Sequence, residues 1–202
     1  MIVLGLTGSI GMGKSTAAAM LRRMGVPVHD ADAAVHRLLA RGGAAVRPIG
    51  EAFPGVVRAG AVDRIELGRR VFAEGAGLDR LERIVHPLVR RSSRRFLARH
   101  RTRRTPVVVL DVPLLYEKGG AAGRYDAVIV VSAPAFLQRQ RVMRRKGMTE
   151  ARYRGILAKQ VPDAEKRRRA DVVVPTGLGK GFTWHRLAAA LRHLAGRRGR
   201  HA

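Results

Sequence analysis

Gly8-Ser9-Ile10-Gly11-Met12-Gly13-Lys14-Ser15 follows directly on the apolar run Ile2-Val3-Leu4-Gly5-Leu6. The spacing is G-x-x-x-x-G-K-S, set where a strand is expected to turn into a helix. Gly8, Gly11 and Gly13 let backbone N–H groups turn inward on phosphate oxygens, an approach that side chains would obstruct. A helix starting near Lys14 points the positive end of its dipole at the same anion. The loop therefore predicts a nucleoside triphosphate site, with Lys14 on the β- and γ-phosphates and the Ser15 hydroxyl on Mg²⁺. A second candidate set, Asp30-Ala31-Asp32, follows the next apolar run. Ligands of open α/β sheets bind beyond the carboxyl ends of strands. A carboxylate there can take the proton of an acceptor hydroxyl during phosphoryl transfer. Asp30 reads equally well as the cap of the following helix, which leaves Asp32, inside that helix, for the chemistry. Asp111 ends a third apolar run and stays open between holding a Mg²⁺-bound water and capping the strand.

The elements that must position these residues follow from the pattern of apolar runs. Residues 2–7, 26–29, 107–112, 127–132 and 171–174 are rich in Val and Ile without polar alternation, the mark of parallel strands covered on both faces. Helical segments lie between them, so the fold class is α/β: a five-stranded, doubly wound parallel sheet. Residues 15–24 form the first helix, stopped by Gly25 with Pro27 beyond. Nearly eighty residues separate the second and third strands, too many for one crossover. They read as an inserted helical substrate lobe over about 33–104, with helices at 33–40, 45–53, 65–72, 78–84 and 87–99. Helices over 134–145 and from Thr149 to about Lys159, joined at Gly147, read as a lid spanning about 134–162. Arg141 and Arg145 are four apart on the first of these, so they share a face and can grip one triphosphate. The whole makes one domain over 1–196, its core at 1–32 and 105–196, with a basic tail at 197–202.

Composition narrows the class. The chain of 202 residues is 46% hydrophobic and 27% charged, which is globular. No apolar stretch approaches the roughly 20 residues of a membrane span, and no basic segment precedes the first apolar run as a signal peptide would require. Without cysteine there is no disulfide, thiolate metal site or cysteine nucleophile, and a cytoplasmic location is the default. The net charge is +25, yet only six of the 40 basic residues are lysine, a bias that genome composition also produces. Such charge attracts polyanions. Aromatics are only 4%, however, which leaves few stacking platforms for single strands. A polyanionic small-molecule substrate is the better fit, with no specific nucleic-acid partner and no membrane, in a monomer or small homo-oligomer. A nucleic-acid-associated ATPase is the competing class. The N-K-x-D motif of a GTPase does not occur.

The ordered set of motifs resembles the dephospho-CoA kinase family. After the phosphate loop come Asp30-Ala31-Asp32 with His36, Leu67-Gly68 and Val71-Phe72, His86-Pro87-Leu88, and Val112-Pro113-Leu114-Leu115-Tyr116-Glu117. Gln138-x-x-Arg141-x-x-x-Arg145, Gln160 and Lys166-Arg167-Arg168-Arg169-Ala170-Asp171 complete the series. The resemblance implies ATP and Mg²⁺, and phosphorylation of the ribose 3′-hydroxyl of dephospho-CoA to complete coenzyme A. It places Gly8 and Gly11, Met12, Gly13, Lys14, Ser15 and Thr16 at ATP, with Ser15 also at Mg²⁺. Asp32, His86, Pro113, Leu114 and Leu115 fall at the acceptor, with Glu117 nearby, and Lys14, Asp32, Arg141 and Arg145 carry the catalysis. On residue type alone His86 also reads as a helix-boundary residue before proline, and Leu114 and Leu115 as core. The Lys166–Arg169 run reads as a solvated face. Two departures stand out. Ser9 and Met12 occupy loop positions where relatives often carry Gly and a small residue, which the cradle tolerates if φ is negative at both. Val174-Pro175-Thr176-Gly177 replaces an Asn-containing turn and leaves nucleotide selectivity open.

Overall fold

Strands of Val, Ile and Leu without polar alternation demand cover on both faces, and every residue of Ile2–Thr7 and of Ala127–Ser132 is buried. The computed structural model describes residues 1–117 and 124–198. They begin with β1 (Ile2–Thr7), α1 (Lys14–Arg23), β2 (Val28–Asp30), α2 (Ala31–Leu39) and α3 (Val46–Ala52). A hairpin of β3 (Val57–Arg58) and β4 (Ala61–Val62), then α4 (Arg64–Ala73) and α5 (Gly77–Thr102), follow. After β5 (Val107–Asp111) and β6 (Ala127–Ser132) come α6 (Ala135–Met143), α7 (Glu150–Ala158) and α8 (Asp163–Arg168). Finally β7 (Val172–Pro175) leads into α9 (Lys180–Arg198). The tail expected from 197 is thus still helical backbone at 197 and 198, and residues 199–202 lie outside the described residues.

The five-stranded sheet has the order β2-β5-β1-β6-β7, and β1 pairs in parallel with both β5 and β6, as β6 does with β7. Register sets the site. Leu6 stands opposite Asp111, Thr7 opposite Val130 and Ser132 opposite Pro175, so the loop after β1, Asp111 and the residues after β7 gather at one edge. The second strand is shorter than expected because Pro27 has no N–H for the ladder, although its carbonyl still accepts from the Val109 N–H at 2.9 Å. Leu4, Leu6 and Ile129 of the sheet, Leu21 of α1 and Leu187 of α9 share one apolar core.

The chain divides into two compact units, one of residues 1–29 and 100–202, the other of residues 30–99. The second has its own core of Leu39, Ile49, Phe53, Val56, Leu67 and Val71. Asp63 caps α4, its Oδ1 accepting from the N–H groups of Ile65 and Glu66, and the bond from Glu66 holds its carboxyl below the usual range. Two expectations for this stretch need correcting. The hairpin β3–β4 was not foreseen, because its turn is Ala59-Gly60 with φ of 48° and 77°. Both residues take the left-handed geometry of a two-residue hairpin, but the first lacks the Asn or Asp that signals it. The helices expected at 78–84 and 87–99 are one helix, α5, with Pro87 inside it. Pro87 removes the N–H that would meet the Arg83 carbonyl, yet the apolar residues around it keep the helix continuous.

The basic run after α7 also departs from expectation. Lys166 is 0% exposed, its Nζ 2.7 Å from the Glu117 Oε1, while Arg167 and Arg168 face outward. The pair lies off the direction a hydrogen bond needs, so its attraction is mainly between charges. The helix periodicity of α8 turns one of four consecutive cations inward, and composition alone does not reveal which. Removing one partner of a buried pair leaves the other charge without compensation, at a cost of about 3–5 kcal/mol. Lys166→Met is expected to lose that much stability in denaturant unfolding, and Lys166→Met with Glu117→Gln to regain most of it. Equal losses in the single and double variants would show that the pair is not what Lys166 contributes.

Candidate active site

The phosphate loop is built by close backbone approach. Gly11 has φ 76°, and a Cβ there would fall 2.6 Å from Val142 Cγ2 and 2.9 Å from the Gln138 carbonyl. Glycine is thus required by conformation and by the helix packed against it. Gly13, at φ 85°, is the N-cap of α1 and provides no side-chain hydrogen bond to the first turn. The N–H groups of that turn have no intrahelical partners, and they converge where an anion is stabilised. Ser15 and Thr16 lie exposed on this first turn.

The departures at Ser9 and Met12 leave the cradle intact. Among the described residues the non-glycine residues with positive φ are Ala59 and Arg104. Met12 turns its side chain inward, and its Sδ accepts from the Ala133 N–H at 3.1 Å. Its own N–H donates to the Ser9 carbonyl at 3.1 Å. The side chain therefore anchors the loop to the end of β6.

Lys14 reaches back across the loop, its Nζ 2.7 Å from Asp111 Oδ1, with side chains 16% and 3% exposed. Of the two openings for Asp111 in the sequence, neither named this pairing, and the parallel register that sets Asp111 opposite Leu6 produces it.

Helix α6 holds the loop from the other side. Gln138 Nε2 donates to the Ile10 carbonyl at 2.8 Å, and the Ile10 N–H donates to Gln160 Oε1 at 3.1 Å. Tyr153, whose hydroxyl is pushed up by burial, donates to Gln138 Oε1 at 3.3 Å. Arg141 spreads its guanidinium over the Thr176 carbonyl at 2.7 Å, the Thr176 hydroxyl at 3.2 Å and the Gly11 carbonyl at 3.4 Å. The helix expected over 134–145 ends at Met143, where the chain tightens and the Arg145 N–H donates to Val142. Arg145 therefore stands exposed in the following turn and does not share a helix face with Arg141. Glu150 clips α7 to α6 by accepting from Arg139 Nε at 3.0 Å, and that hydrogen bond lowers its carboxyl below the usual range.

The acceptor candidates are placed as follows. Asp30 caps α2, accepting from the Ala33 N–H at 2.9 Å, and Asp32 sits in the first turn of that helix. His86 is half-buried in mid-helix and lines a cavity of about 440 Å³ with Asp79, Glu82, Arg83, Pro87 and Arg90. The Pro113 carbonyl accepts from Thr7 Oγ1 at 3.0 Å, Leu114 is 43% exposed, and Leu115 is buried with Val128 and Val130. In the sequence Thr176 stands out only for what it replaces. Its contacts make it part of the loop's framework, and its position at the carboxyl end of the last strand was the available signal. Among the described residues no cluster of three or more His, Cys, Asp or Glu could hold a metal, and no helix is long and apolar enough to cross a membrane.

A parallel sheet whose first strand runs through this loop into a helix without a side-chain cap, with a lysine drawn to the carboxylate of the adjacent strand, defines a P-loop NTPase fold. The family model described as dephospho-CoA kinase matches residues 2–177. A dephospho-CoA kinase of Paramagnetospirillum magneticum is 68% identical over 167 residues, covering 83% of this chain and 78% of that one. One from Mesorhizobium japonicum is 56% identical over 98% of this chain and all of its own. A solved Thermus thermophilus structure is 38% identical with TM-score 0.82, covering 95% of this chain and 96% of that one. The Campylobacter jejuni dephospho-CoA kinase structure shares the fold at TM-score 0.66 and 21% identity, over 95% of this chain and 96% of its own. The chain belongs to the dephospho-CoA kinase family.

Proposed function

We propose that this kinase transfers the γ-phosphoryl group of ATP to the ribose 3′-hydroxyl of dephospho-CoA, giving coenzyme A and ADP. The observation that carries the reading is the phosphate loop leading into α1, which has no side-chain cap and begins at Lys14, within a chain matched by the family over residues 2–177. Backbone N–H groups of Gly11 and of Gly13 through Thr16, with Gly8 leading in and Met12 shaping the loop, bind the triphosphate, and Lys14 neutralises charge on the β- and γ-phosphates. The donor set suits Mg²⁺ held by one hydroxyl, that of Ser15, together with phosphate oxygens and water. Bound there, Mg²⁺ would offset the charge of the phosphate oxygens. Asp32 is the general base. As the 3′-oxygen bonds to the γ-phosphorus, its proton passes to the Asp32 carboxylate and the bond from phosphorus to the bridging oxygen breaks, releasing ADP. Asp111 is engaged by Lys14, which favours Asp32 for this task. His86, Pro113, Leu114 and Leu115 bind the acceptor, and a cytoplasmic location fits the substrate. An ADP-release assay with ATP, Mg²⁺ and dephospho-CoA tests the reading. Turnover only with dephospho-CoA supports it; turnover raised by RNA or DNA instead would make the +25 chain a nucleic-acid-associated ATPase.

Arg141 and Arg145 stabilise the charge of the transferring group. A charge-assisted contact is worth about 1.5–3 kcal/mol, or roughly one to two decades in rate when made mainly in the transition state. Arg141→Ala is expected to lose that much in kcat/KM for ATP. Arg145→Lys is not expected to rescue function, since an ammonium cannot reproduce the planar fork. Arg47→Ala, at a side chain 90% exposed, should change little. Small, equal losses in all three would reduce both arginines to surface charge.

A further inference from the structure

Thr176 is buried and makes contacts out of proportion to its size. Its Oγ1 donates to the Met12 carbonyl at 2.8 Å, with the Ser132 carbonyl a more distant acceptor at 3.3 Å. The same oxygen accepts from Arg141 Nη1 at 3.2 Å, and its carbonyl accepts from Arg141 Nη2 at 2.7 Å. Its N–H donates to the Ser132 carbonyl at 2.8 Å, which fixes residue 176 to the end of β6. A Cβ added at Gly13 would stand 3.1 Å from the Thr176 hydroxyl, so this side chain also packs against the N-cap of α1. One hydroxyl therefore joins the middle of the phosphate loop to a lid arginine. The arginine closes the circuit on the Gly11 carbonyl at 3.4 Å. We propose that Thr176 is a positioning residue for phosphoryl transfer, holding the phosphate loop and Arg141 in one register through its hydroxyl. The inference rests on the kinase reading above and adds a determinant at the turn where the sequence left nucleotide recognition open.

The hydroxyl does two things that a methyl cannot. It satisfies the Met12 carbonyl, whose loss of partner would let the loop between Gly11 and Gly13 shift. It also orients the Arg141 fork by accepting one of its N–H groups while the main chain accepts another. Misplacement of a reacting group by about 1 Å can cost about 100-fold.

The test is steady-state kinetics on Thr176→Val, Thr176→Ser and Thr176→Ala, each compared with the parent for melting temperature. Valine keeps the shape and removes the hydroxyl, and kcat/KM for ATP is expected to fall about 10- to 100-fold, with KM for dephospho-CoA within about twofold of the parent. Serine keeps the hydroxyl and should recover activity to within about threefold, which a role confined to packing of the methyl would not give. Alanine reads the same loss without the bulk of valine. In combination with Arg141→Ala, Thr176→Val should add little, because both disrupt one unit. A valine variant with the parent's ATP parameters, a loss that falls on KM for dephospho-CoA, or strict additivity with Arg141→Ala would overturn the proposal. A parent protein that forms no ADP with dephospho-CoA would overturn the kinase reading, a separate outcome.

Discussion

Lys14→Ala is expected to lower kcat by at least about 10²–10³-fold while the protein remains folded. Removing one preorganised donor from a transition-state charge costs about that much, and Lys14 brings a full charge to the β- and γ-phosphates. The structure adds a complication that the motif alone does not contain. Lys14 is the 2.7 Å partner of a buried carboxylate, Asp111, so the substitution also disturbs an ion pair. Asp111 has a further interaction besides Lys14. Two controls separate the effects. Lys14→Arg preserves the charge next to Asp111 but carries it on a planar fork in place of a compact ammonium, so it should retain most of the stability and little of the activity. Lys14→Met with Asp111→Asn removes both charges and should regain stability without regaining turnover. Far-UV circular dichroism and unfolding midpoints report the first quantity, and ADP release the second. A folded Lys14→Ala protein with near-parental turnover would remove the phosphate-loop assignment.

The parallel sheet was readable because its strands carry a physical signature in the chain itself: unbroken Val and Ile, bounded by glycine, proline and aspartate. The phosphate loop was readable for a similar reason, since Gly11 and Gly13 are dictated by local backbone geometry and close approach. What escaped depends on partners far away in sequence. Thr176 meets Met12 across 164 residues and Arg141 across 35, and its place at the carboxyl end of the last strand puts it near the site without naming either partner. Lys166 is one of four consecutive cations, distinguished only by the side of α8 that turns inward onto Glu117. The hairpin turn at Ala59-Gly60 uses a left-handed alanine that propensity disfavours. Pro87 shows the reverse error, a strong local signal overridden by the apolar packing of one long helix.

Asp32→Asn carries the second large effect, because it separates chemistry from placement. Asparagine keeps the size of the side chain and its capacity to hydrogen-bond, but it cannot accept a proton. Loss of general-base catalysis typically costs about 10²–10⁴-fold. Turnover is therefore expected to fall by that span, with the dissociation constant for ATP little changed. The local fold should tolerate the change: the cap of α2 is supplied by Asp30, whose Oδ1 accepts from the Ala33 N–H at 2.9 Å. Asp32 lies in the first turn, where a negative charge favours the helix dipole by only about 0.3–1 kcal/mol, so lost stability cannot imitate lost catalysis. The parallel variant Asp111→Asn should instead weaken the hold on Lys14 and act on the ATP side of the reaction. A loss in Asp32→Asn confined to KM for dephospho-CoA would make Asp32 a contact for the acceptor and make Asp111 the candidate for the base.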